Sequence, residues 1–444
     1  VRGCYLEGNV TDMETGLPIS GTEVMINAPD EGNMEVSSLN GDYATGIATA
    51  GTYEVTFFKP GYEPMTTEAT IDNGVLTILD VELVPLPRYN KEGIVVEVSD
   101  GSPVGDAVIT LDDGFTIFEF TGNADGIFEI TEVYEGVFDV FVTSSWGFQE
   151  TLIEDFEIND DESTVIEIER GYSDSFTRDY GWSTSTTGGA NAGLWELGEP
   201  IGTYRNGGTI NPEFDLDSDF GDQCYVTGNG GGSWANDDID NGAVILTSPI
   251  MELASTYVNP VVEYNLWFYN GGGSGNPNDD VEVEISNGIE TVTIEVVQDP
   301  GSNGGFWRNR SEITLSDFIE ITDEMQLIVT AGDYGAGHIA EAAIDAFAVT
   351  GDLAVGATFP ILDLGLTVAP NPSSDDFVIN YELSGMPTNA RFIVANTFGQ
   401  QLKPYPINNE NGQLRLGGDW LPGVYFLSLE ADGVRVHTEL LIKQ

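Results

Sequence analysis

Hydrophobic and polar residues alternate in short runs along most of the chain, and turn residues separate these runs. In one such run Tyr53, Val55 and Phe57 alternate with polar residues. Because successive side chains of a strand point to opposite faces of a sheet, this pattern predicts a half-buried β-strand. Asn-Gly at 40–41 and Asp-Gly at 125–126 supply the positive φ of tight hairpins. Helical periodicity is nowhere sustained, so we predict an all-β fold.

An internal repeat occupies residues 1–171, with an offset of about 85 residues between its two copies. A constant offset across five paired segments predicts two similar small β-sandwiches, at 1–87 and 88–171. The pairs are 7–10 with 92–95, 21–26 with 105–110, 40–43 with 125–128, 51–55 with 136–140, and 61–62 with 147–148.

The glycine and tyrosine positions of the repeat follow a family pattern. The first copy carries it at 8–10, 16–24, 40–43, 51–55 and 61–62, and the second has Phe128, Phe138 and Phe148 in place of tyrosines. Both copies resemble the carboxypeptidase regulatory-like domain. The resemblance implies tandem transthyretin-like β-sandwiches.

Residues 172–352 form a third, larger unit, in which glycine tracts separate apolar strands such as 261–269 and 281–286. Five segments of this unit resemble a jelly-roll sandwich that is loosely related to MAM domains and found beside secreted peptidases. The segments are 193–198, 224–228, 246–249, 280–286 and 341–345.

The last eighty or so residues follow a third pattern. It begins with the corner Pro370-Asn371-Pro372, continues through the predicted strands 377–383 and 391–395 to Gly399, and then reaches Gly423, Tyr425 and the penultimate Lys443. In this order the segments resemble the C-terminal sorting domain of the type IX secretion system of Bacteroidota.

The resemblance implies that residues 366–444 form a small β-sandwich that acts as an export signal. The chain would then be a secreted or cell-surface cargo that passes through the periplasm. Its partners would be the type IX translocon and the outer-membrane shuttle barrel. In the family the domain is removed at a preceding junction, so residues 353–365 are a predicted linker.

The chain is strongly acidic, with 14 basic and 74 acidic side chains and a net charge of −60. Such a polyanion is repelled by nucleic acid and by anionic lipid surfaces. A hydrophobic content of 41% still suffices to build cores. No apolar run approaches the length of a transmembrane segment.

The two cysteines, Cys4 and Cys224, lie in different predicted units. We expect buried free thiols, with a bridge between them as the alternative. The chain begins at Val1 without a signal peptide, so we expect a fragment or a processed form.

The sequence offers no credible catalytic constellation. Its two histidines, His338 and His437, lie in different predicted units, and no Gly-x-Ser-x-Gly elbow is present. A zinc hydrolase or a serine triad would need more nitrogen ligands or a nearby histidine base. We therefore expect His338 in a loop, His437 on the last strand, and no enzymatic activity in this chain. A catalytic domain upstream of residue 1 remains compatible with the sequence.

Calcium binding is the chemistry that the acidic residues favour most. Asp215, Asp217 and Asp219 share one face of an extended strand, or wrap an ion in a loop. Their repulsion favours a bound cation or full solvation, and oxygen ligands select calcium. In the jelly rolls that this unit resembles, a structural calcium ties the first strand to an acid on the last, which implies Asp174 and Asp345.

The alternative interpretation is an acidic loop in a chain full of acids. Similar acidic clusters follow at 237–240 and 279–280.

Sugar binding is a second possible chemistry of the third unit, because exposed aromatic rings stack on sugars. Trp234, flanked by small and acidic residues, is the best candidate for an exposed ring. Two functions therefore stand beside each other. The first is the non-catalytic C-terminal region of a metallopeptidase-related secreted protein. The alternative is a free-standing surface adhesin that binds a surface glycan.

Overall fold

The computed structural model describes residues 3–28, 33–234, 238–273, 277–299, 304–334, 337–353, 364–383, 390–396, 401–431 and 434–444. Strand makes up 59% of the structure and helix 2%, which confirms the predicted all-β fold. The predicted alternation is also visible, since Val55 and Phe57 are fully buried whereas Glu54 is exposed. Within the described residues, no helix has the length and hydropathy needed to cross a membrane.

The first unit is a sandwich of two sheets that enclose an apolar core. One sheet has the order β3-β2-β5-β6, and in the other β1 pairs with β4, β7 and β8. Strand β1 is antiparallel to β4 and parallel to β7 and β8. The strands are β1 (Cys4–Asp12), β2 (Glu23–Asn27), β3 (Asn33–Val36), β4 (Asp42–Ile47), β5 (Gly51–Phe58), β6 (Met65–Ile71), β7 (Leu76–Ile78) and β8 (Val81–Leu83).

The second unit has the same strand order, as the internal repeat leads one to expect. One sheet is β11-β10-β13-β15 and the other is β12-β9-β16, in which β9 and β16 are parallel. The strands are β9 (Arg88–Glu97), β10 (Val108–Asp112), β11 (Ile117–Thr121), β12 (Ile127–Tyr134), β13 (Gly136–Thr143), β14 (Gly147–Phe148), β15 (Thr151–Ile158) and β16 (Thr164–Ile168).

The third unit packs a five-stranded sheet, β18-β23-β28-β25-β26, against a larger sheet. In the larger sheet β29 pairs with β17, β22 and β24. The elements are β17 (Arg170–Asp174), β18 (Ser183–Thr187), β19 (Trp195–Gly198), β20 (Tyr204–Arg205), β21 (Gly208–Thr209), β22 (Cys224–Thr227), β23 (Gly242–Thr247), α1 (Leu253–Thr256), β24 (Tyr257–Gly271), β25 (Asp280–Ser286), β26 (Thr291–Gln298), β27 (Ser311–Thr314), a 3-10 turn (Leu315–Asp317), β28 (Gln326–Asp333) and β29 (Ile339–Leu353).

The C-terminal unit is a smaller sandwich, of sheets β30-β31-β34 and β33-β32-β35-β36. Most of the predicted linker lies outside the described residues. The strands are β30 (Leu364–Ala369), β31 (Phe377–Leu383), β32 (Ala390–Asn396), β33 (Tyr405–Ile407), β34 (Asn411–Leu416), β35 (Gly423–Ala431) and β36 (Val434–Lys443).

Neighbouring units contact one another through side chains and backbone. Strand β14 of the second unit pairs with β17 of the third. Close by, the rings of Phe141 and Phe220 stack with centroids 3.9 Å apart. The C-terminal unit packs on the second unit, where Phe426 joins Ile94 and Val96 in a small apolar cluster. The second unit therefore contacts both the third unit and the C-terminal unit.

Candidate metal centre

A β-bulge on the central strand of the third unit positions Asp345. The pairing of β24 with β29 shifts register between Glu263 and Asn265, so that Ala346 and Phe347 of β29 lie opposite the single residue Tyr264 of β24. Ala346 has a φ of 50°, a left-handed conformation that costs a non-glycine residue about 1–2 kcal/mol. Its N–H donates to Asp345 Oδ1 at 2.8 Å. Such bulges commonly re-aim a side chain beside a functional site.

The loop that follows residue 214 brings two more carboxylates to Asp345. The chain turns at 217–218, between Asp215 and Asp219. One carboxylate oxygen each from Asp215, Asp219 and Asp345 lies within 4.8 Å of the others. The N–H of Leu216 donates to Asp345 Oδ2 at 3.0 Å and ties the loop to the strand. We call these three aspartates the acidic cluster.

The structure thus brings together three of the five residues that the sequence singled out as metal ligands. Asp217 is exposed at the tip of the turn and is not part of the cluster. Asp174 is buried on β17, where its oxygens accept hydrogen bonds from Phe176 N and Trp182 Nε1, both at 2.8 Å. It lines a neighbouring cavity together with Asp219 and Asp217.

Burial and mutual repulsion make the acidic cluster hard to ionise. Burial, and then the charge of Asp222, raises the pKa of Asp215 to about 6. Burial also raises the pKa of Asp219 and Asp345, and the neighbouring carboxylates raise it further. Asp215 Oδ2 and both carboxylate oxygens of Asp219 are buried, yet they accept no hydrogen bond from any described residue. A cation would satisfy these oxygens and relieve the repulsion.

Sequence reasoning missed Glu150, which reaches this region from the second unit. Its Oε2 accepts a hydrogen bond from Ser175 N at 2.8 Å. Glu150, Asp174 and Asp219 line a cavity of about 520 Å³. Burial raises the pKa of Glu150 to about 7. No motif marks this residue, because only the packing of two units brings it to the site.

The groups around the acidic cluster give it a defined chemistry. Arg310 lies near Asp219 and donates to Ala346 O at 2.8 Å, while its Nε is 2.8 Å from Glu263 Oε2. Cys224 is fully buried, and burial and the nearby carboxylates raise the pKa of its thiol. Both Cys224 and the distant Cys4, on β1 of the first unit, are buried free thiols. The acidic cluster thus offers oxygen ligands, which hard cations such as calcium prefer.

Trp234, the candidate for sugar stacking, is half-buried rather than fully exposed. It packs against a small apolar cluster that includes Ile210 and Tyr269. The guanidinium of Arg205 lies over the ring, 4.9 Å from its centroid. One face of the indole is therefore already covered by a cation–π contact.

The residues of the predicted sorting signal hold the C-terminal sandwich together. Pro370 and Pro372 flank Asn371 in the corner between β30 and β31. The amide of Asn371 donates to Leu440 O at 2.7 Å and accepts from Ile442 N at 2.8 Å, so it pairs with the last strand like a piece of backbone.

The end of the chain completes this arrangement. The buried Lys443 donates through Nζ to Asp375 O at 2.8 Å. The hydroxyl of Tyr425 donates to Leu421 O at 2.9 Å. Gly423 has a φ of 153°, which L-residues rarely adopt. Gly399 lies outside the described residues.

Two family models match parts of the chain. Residues 5–84 match the carboxypeptidase regulatory-like domain, and residues 367–444 match the secretion system C-terminal sorting domain. The predictions of a regulatory-like domain and of a sorting domain are thereby confirmed. The sorting domain indicates export by type IX secretion to the cell surface or the outside. The relations to MAM domains and to zinc carboxypeptidases stay predictions.

Similar solved structures include two pilins and one further protein, all at low identity. A streptococcal ancillary pilin matches at 16% identity with a TM-score of 0.29, over 38% of this chain and 63% of the pilin, less than two thirds of its length. The shaft pilin SpaA of Lactobacillus rhamnosus GG matches at 10% identity with a TM-score of 0.24, over 38% of this chain and 98% of the pilin. The Bacillus anthracis TIE protein matches at 10% identity with a TM-score of 0.21, over 73% of this chain and 48% of that protein. No curated protein matches the chain.

Proposed function

We propose that this cargo of the type IX secretion system is a non-catalytic surface region whose third unit is stabilised by calcium. The two regulatory-like sandwiches form a stalk, and the third unit is an accessory module of a metallopeptidase-related protein. The observation that carries this proposal is the acidic cluster. It contains unsatisfied buried oxygens but no histidine or thiolate among its three ligand atoms.

Calcium fits the acidic cluster better than other common cations. It accepts six to eight oxygen ligands in flexible geometries, whereas magnesium demands a near-ideal octahedron. The three carboxylates supply up to six oxygens, of which two on Asp345 already accept hydrogen bonds from the backbone. Extracellular calcium modules typically bind with Kd of about 10⁻⁴–10⁻³ M, a range suited to an exported protein.

A calcium titration of the intact chain tests the calcium part of the proposal. We expect isothermal titration calorimetry of chelator-treated protein to show binding that Asp345→Asn abolishes and Asp217→Asn preserves. Asp217 is the matched control because it lies in the same loop but outside the cluster. Equal binding by wild type and Asp345→Asn would overturn the assignment.

Truncation tests the role of the C-terminal unit independently of calcium. Deletion of residues 366–444 should leave the protein in the periplasm, because the translocon and the shuttle barrel then have no signal to bind. Fractionation of cells that express the full and truncated chains gives the answer. Surface levels equal to those of the full chain would refute the assigned role of this segment.

The metallopeptidase relation is tested by the gene itself. A domain encoded upstream of Val1 that carries a His-x-x-Glu zinc motif and a further histidine ligand would support the relation. A signal peptide encoded directly before Val1 would instead support the free-standing adhesin.

The adhesin alternative rests on Trp234, and the geometry around this residue gives it less support. Arg205 covers one face of the ring, which leaves less aromatic surface for a sugar. A glycan array with wild type and Trp234→Ala decides the point. Binding that the substitution removes would favour the adhesin, and absence of binding by both proteins would reject its carbohydrate form.

A further inference from the structure

A second group of buried ionisable side chains lies where β25 begins, β28 ends and β29 begins. One ligand atom each from Asp279, Asp333 and His338 lies within 4.8 Å of the others. The three residues are only 3%, 5% and 3% exposed. They are therefore more deeply buried than Asp215 and Asp219 of the acidic cluster. The sequence predicted a loop position for His338 but not its burial among acids.

Several polar atoms in this group lack the hydrogen bonds that burial demands. Neither ring nitrogen of His338 forms a hydrogen bond with a residue that the structure describes, and the same holds for Asp279 Oδ2. The closest approach between them joins His338 Nδ1 and Asp279 Oδ2 at 3.5 Å. A buried polar group without a partner costs about 1–3 kcal/mol. These unsatisfied atoms point to a ligand between them.

Hydrogen bonds from backbone N–H groups hold one oxygen of each of the two carboxylates. The N–H of Tyr334 donates to Asp279 Oδ1 at 2.8 Å, and the N–H of His338 donates to Asp333 Oδ1 at 3.2 Å. Asn270 is fully buried and its Nδ2 donates to Asp279 O at 3.0 Å. Both carboxylates are thus oriented without using Asp279 Oδ2 or the imidazole. Such support keeps the ligand atoms in place before an ion binds.

The neighbouring backbone is packed tightly around His338. A Cβ atom built on Gly273 would lie 1.9 Å from Gly337 O and 2.8 Å from His338 Cα. Only glycine therefore fits at position 273. The close approach holds Gly337, the residue before His338, against Gly273, which lies two residues after the end of β24. The imidazole is positioned by this packing rather than by hydrogen bonds of its own.

We propose that Asp279, Asp333 and His338 bind a divalent transition-metal cation of the zinc type, independently of the calcium centre. An imidazole nitrogen with carboxylate oxygens is a donor set that suits zinc and related metals, whereas calcium and magnesium favour oxygen alone. Three protein ligands leave one position of a tetrahedral zinc open to a water molecule. The ion would tie the loop between β28 and β29 to the start of β25.

A buried ion pair between a protonated His338 and Asp279 is the competing explanation. It leaves one negative charge unbalanced, because the imidazolium carries one positive charge and two carboxylates face it. It also leaves Nε2, which would then be a second N–H donor, buried without an acceptor among the described residues. A divalent cation neutralises both carboxylates and uses one ring nitrogen as a ligand.

Zinc titration of the full chain tests the proposal, because this chain has only two histidines. Zinc chloride is titrated by calorimetry into chelator-treated protein in the presence of excess calcium, which fills the acidic cluster. We expect one zinc per chain with wild type and at least about 100-fold weaker binding with His338→Gln. His437→Gln is the matched control, since His437 lies on β36 and pairs with Glu439. It should bind zinc as wild type does.

A second measurement keeps the test valid if His338→Gln does not fold. In wild type labelled with ¹³C at the histidine rings, zinc should shift one of the two imidazole signals, and His437→Gln should identify the unshifted one as His437. Loss of zinc binding in His437→Gln, displacement of zinc by calcium, or two unshifted signals would each overturn the proposal.

Discussion

The acidic cluster predicts that one substitution has opposite effects with and without calcium. The substitution is Asp219→Asn, which removes a charge but nearly preserves the shape of the side chain. Both carboxylate oxygens of Asp219 lack hydrogen bonds to described residues, so the substitution removes no hydrogen bond with them. In chelator the variant should be more stable than wild type, because a repulsive charge is gone. In calcium it should be less stable than wild type, because a ligand is gone.

The expected gain in chelator follows from Coulomb's law. Two charges 4.8 Å apart at an effective dielectric constant of about 20 repel each other by about 3.5 kcal/mol. Asp219 faces two such partners, Asp215 and Asp345, so the repulsion amounts to about 7 kcal/mol when all three carboxylates are ionised. Proton uptake by the cluster relieves part of this repulsion. We therefore expect about 2 kcal/mol or more at pH 8, which raises the melting temperature by about 4–8 °C for a unit of this size.

Tryptophan fluorescence is a suitable assay, since five of the seven tryptophans lie within 172–352. Thermal melts of wild type, Asp219→Asn and Asp217→Asn are recorded in chelator and in excess calcium. The control, Asp217→Asn, changes the same chemical group in the same loop, and it should follow wild type in both buffers. A lower melting temperature for Asp219→Asn in chelator would refute the electrostatic reasoning, as would equal behaviour of the two variants.

Three further predictions concern the same loop and the C-terminal unit. In chelator the third unit should gain stability as the pH falls from 8 to 6. The pKa of Asp219 is raised and that of Asp215 is about 6, so the folded unit takes up protons in this range, whereas the unfolded chain does so only near 3.8. In calcium this gain in stability should vanish, and thermal melts across this pH range measure both effects. Phe220→Ala removes the ring stack on Phe141, which is worth about 0.5–1.5 kcal/mol, and should weaken calcium binding by up to about tenfold. Calorimetry measures the affinity, and an unchanged value would show that the stack does not support the loop. Lys443→Met removes a buried charged hydrogen bond and should destabilise the C-terminal unit by about 1.5–3 kcal/mol in chemical denaturation, with unchanged stability as the contrary result.

The strands and the repeat were predictable because local pattern determines them. The alternation of Val55 and Phe57 with polar residues needs only the two-residue period of a strand. The predicted strand 377–383 matches β31 at both ends, and the prediction for 391–395 falls within β32. Period-two burial along a sheet is a local property, so a single sequence carries it.

The candidate metal centre was predictable only in part, because long-range packing completes it. The spacing of Asp215, Asp217 and Asp219 suggested three ligands, but a turn at 217–218 exposes the middle one. Asp345 is positioned by a β-bulge at Ala346, and no residue pattern in the sequence predicts this bulge. Glu150 comes from another unit altogether. Sequence spacing indicates which acids are near in the chain, whereas only the fold decides which become close and buried.

The state of the buried acids separates structural carboxylates from candidate ligands. Asp12 and Glu97, in the first two units, have partners within the chain: Asp12 accepts from Glu14 N, Thr15 N and Tyr62, and Glu97 pairs with Arg170.

In the third unit, by contrast, Asp219 Oδ1 and Oδ2 and Asp279 Oδ2 are buried without a hydrogen bond to any described residue. A chain with a net charge of −60 can leave most of its carboxylates in water at little cost. Carboxylates buried beside other carboxylates are costly, and the cost falls only if a cation or a proton is bound. The unsatisfied oxygens, rather than the abundance of acids, are therefore the observation on which both proposed metal sites rest.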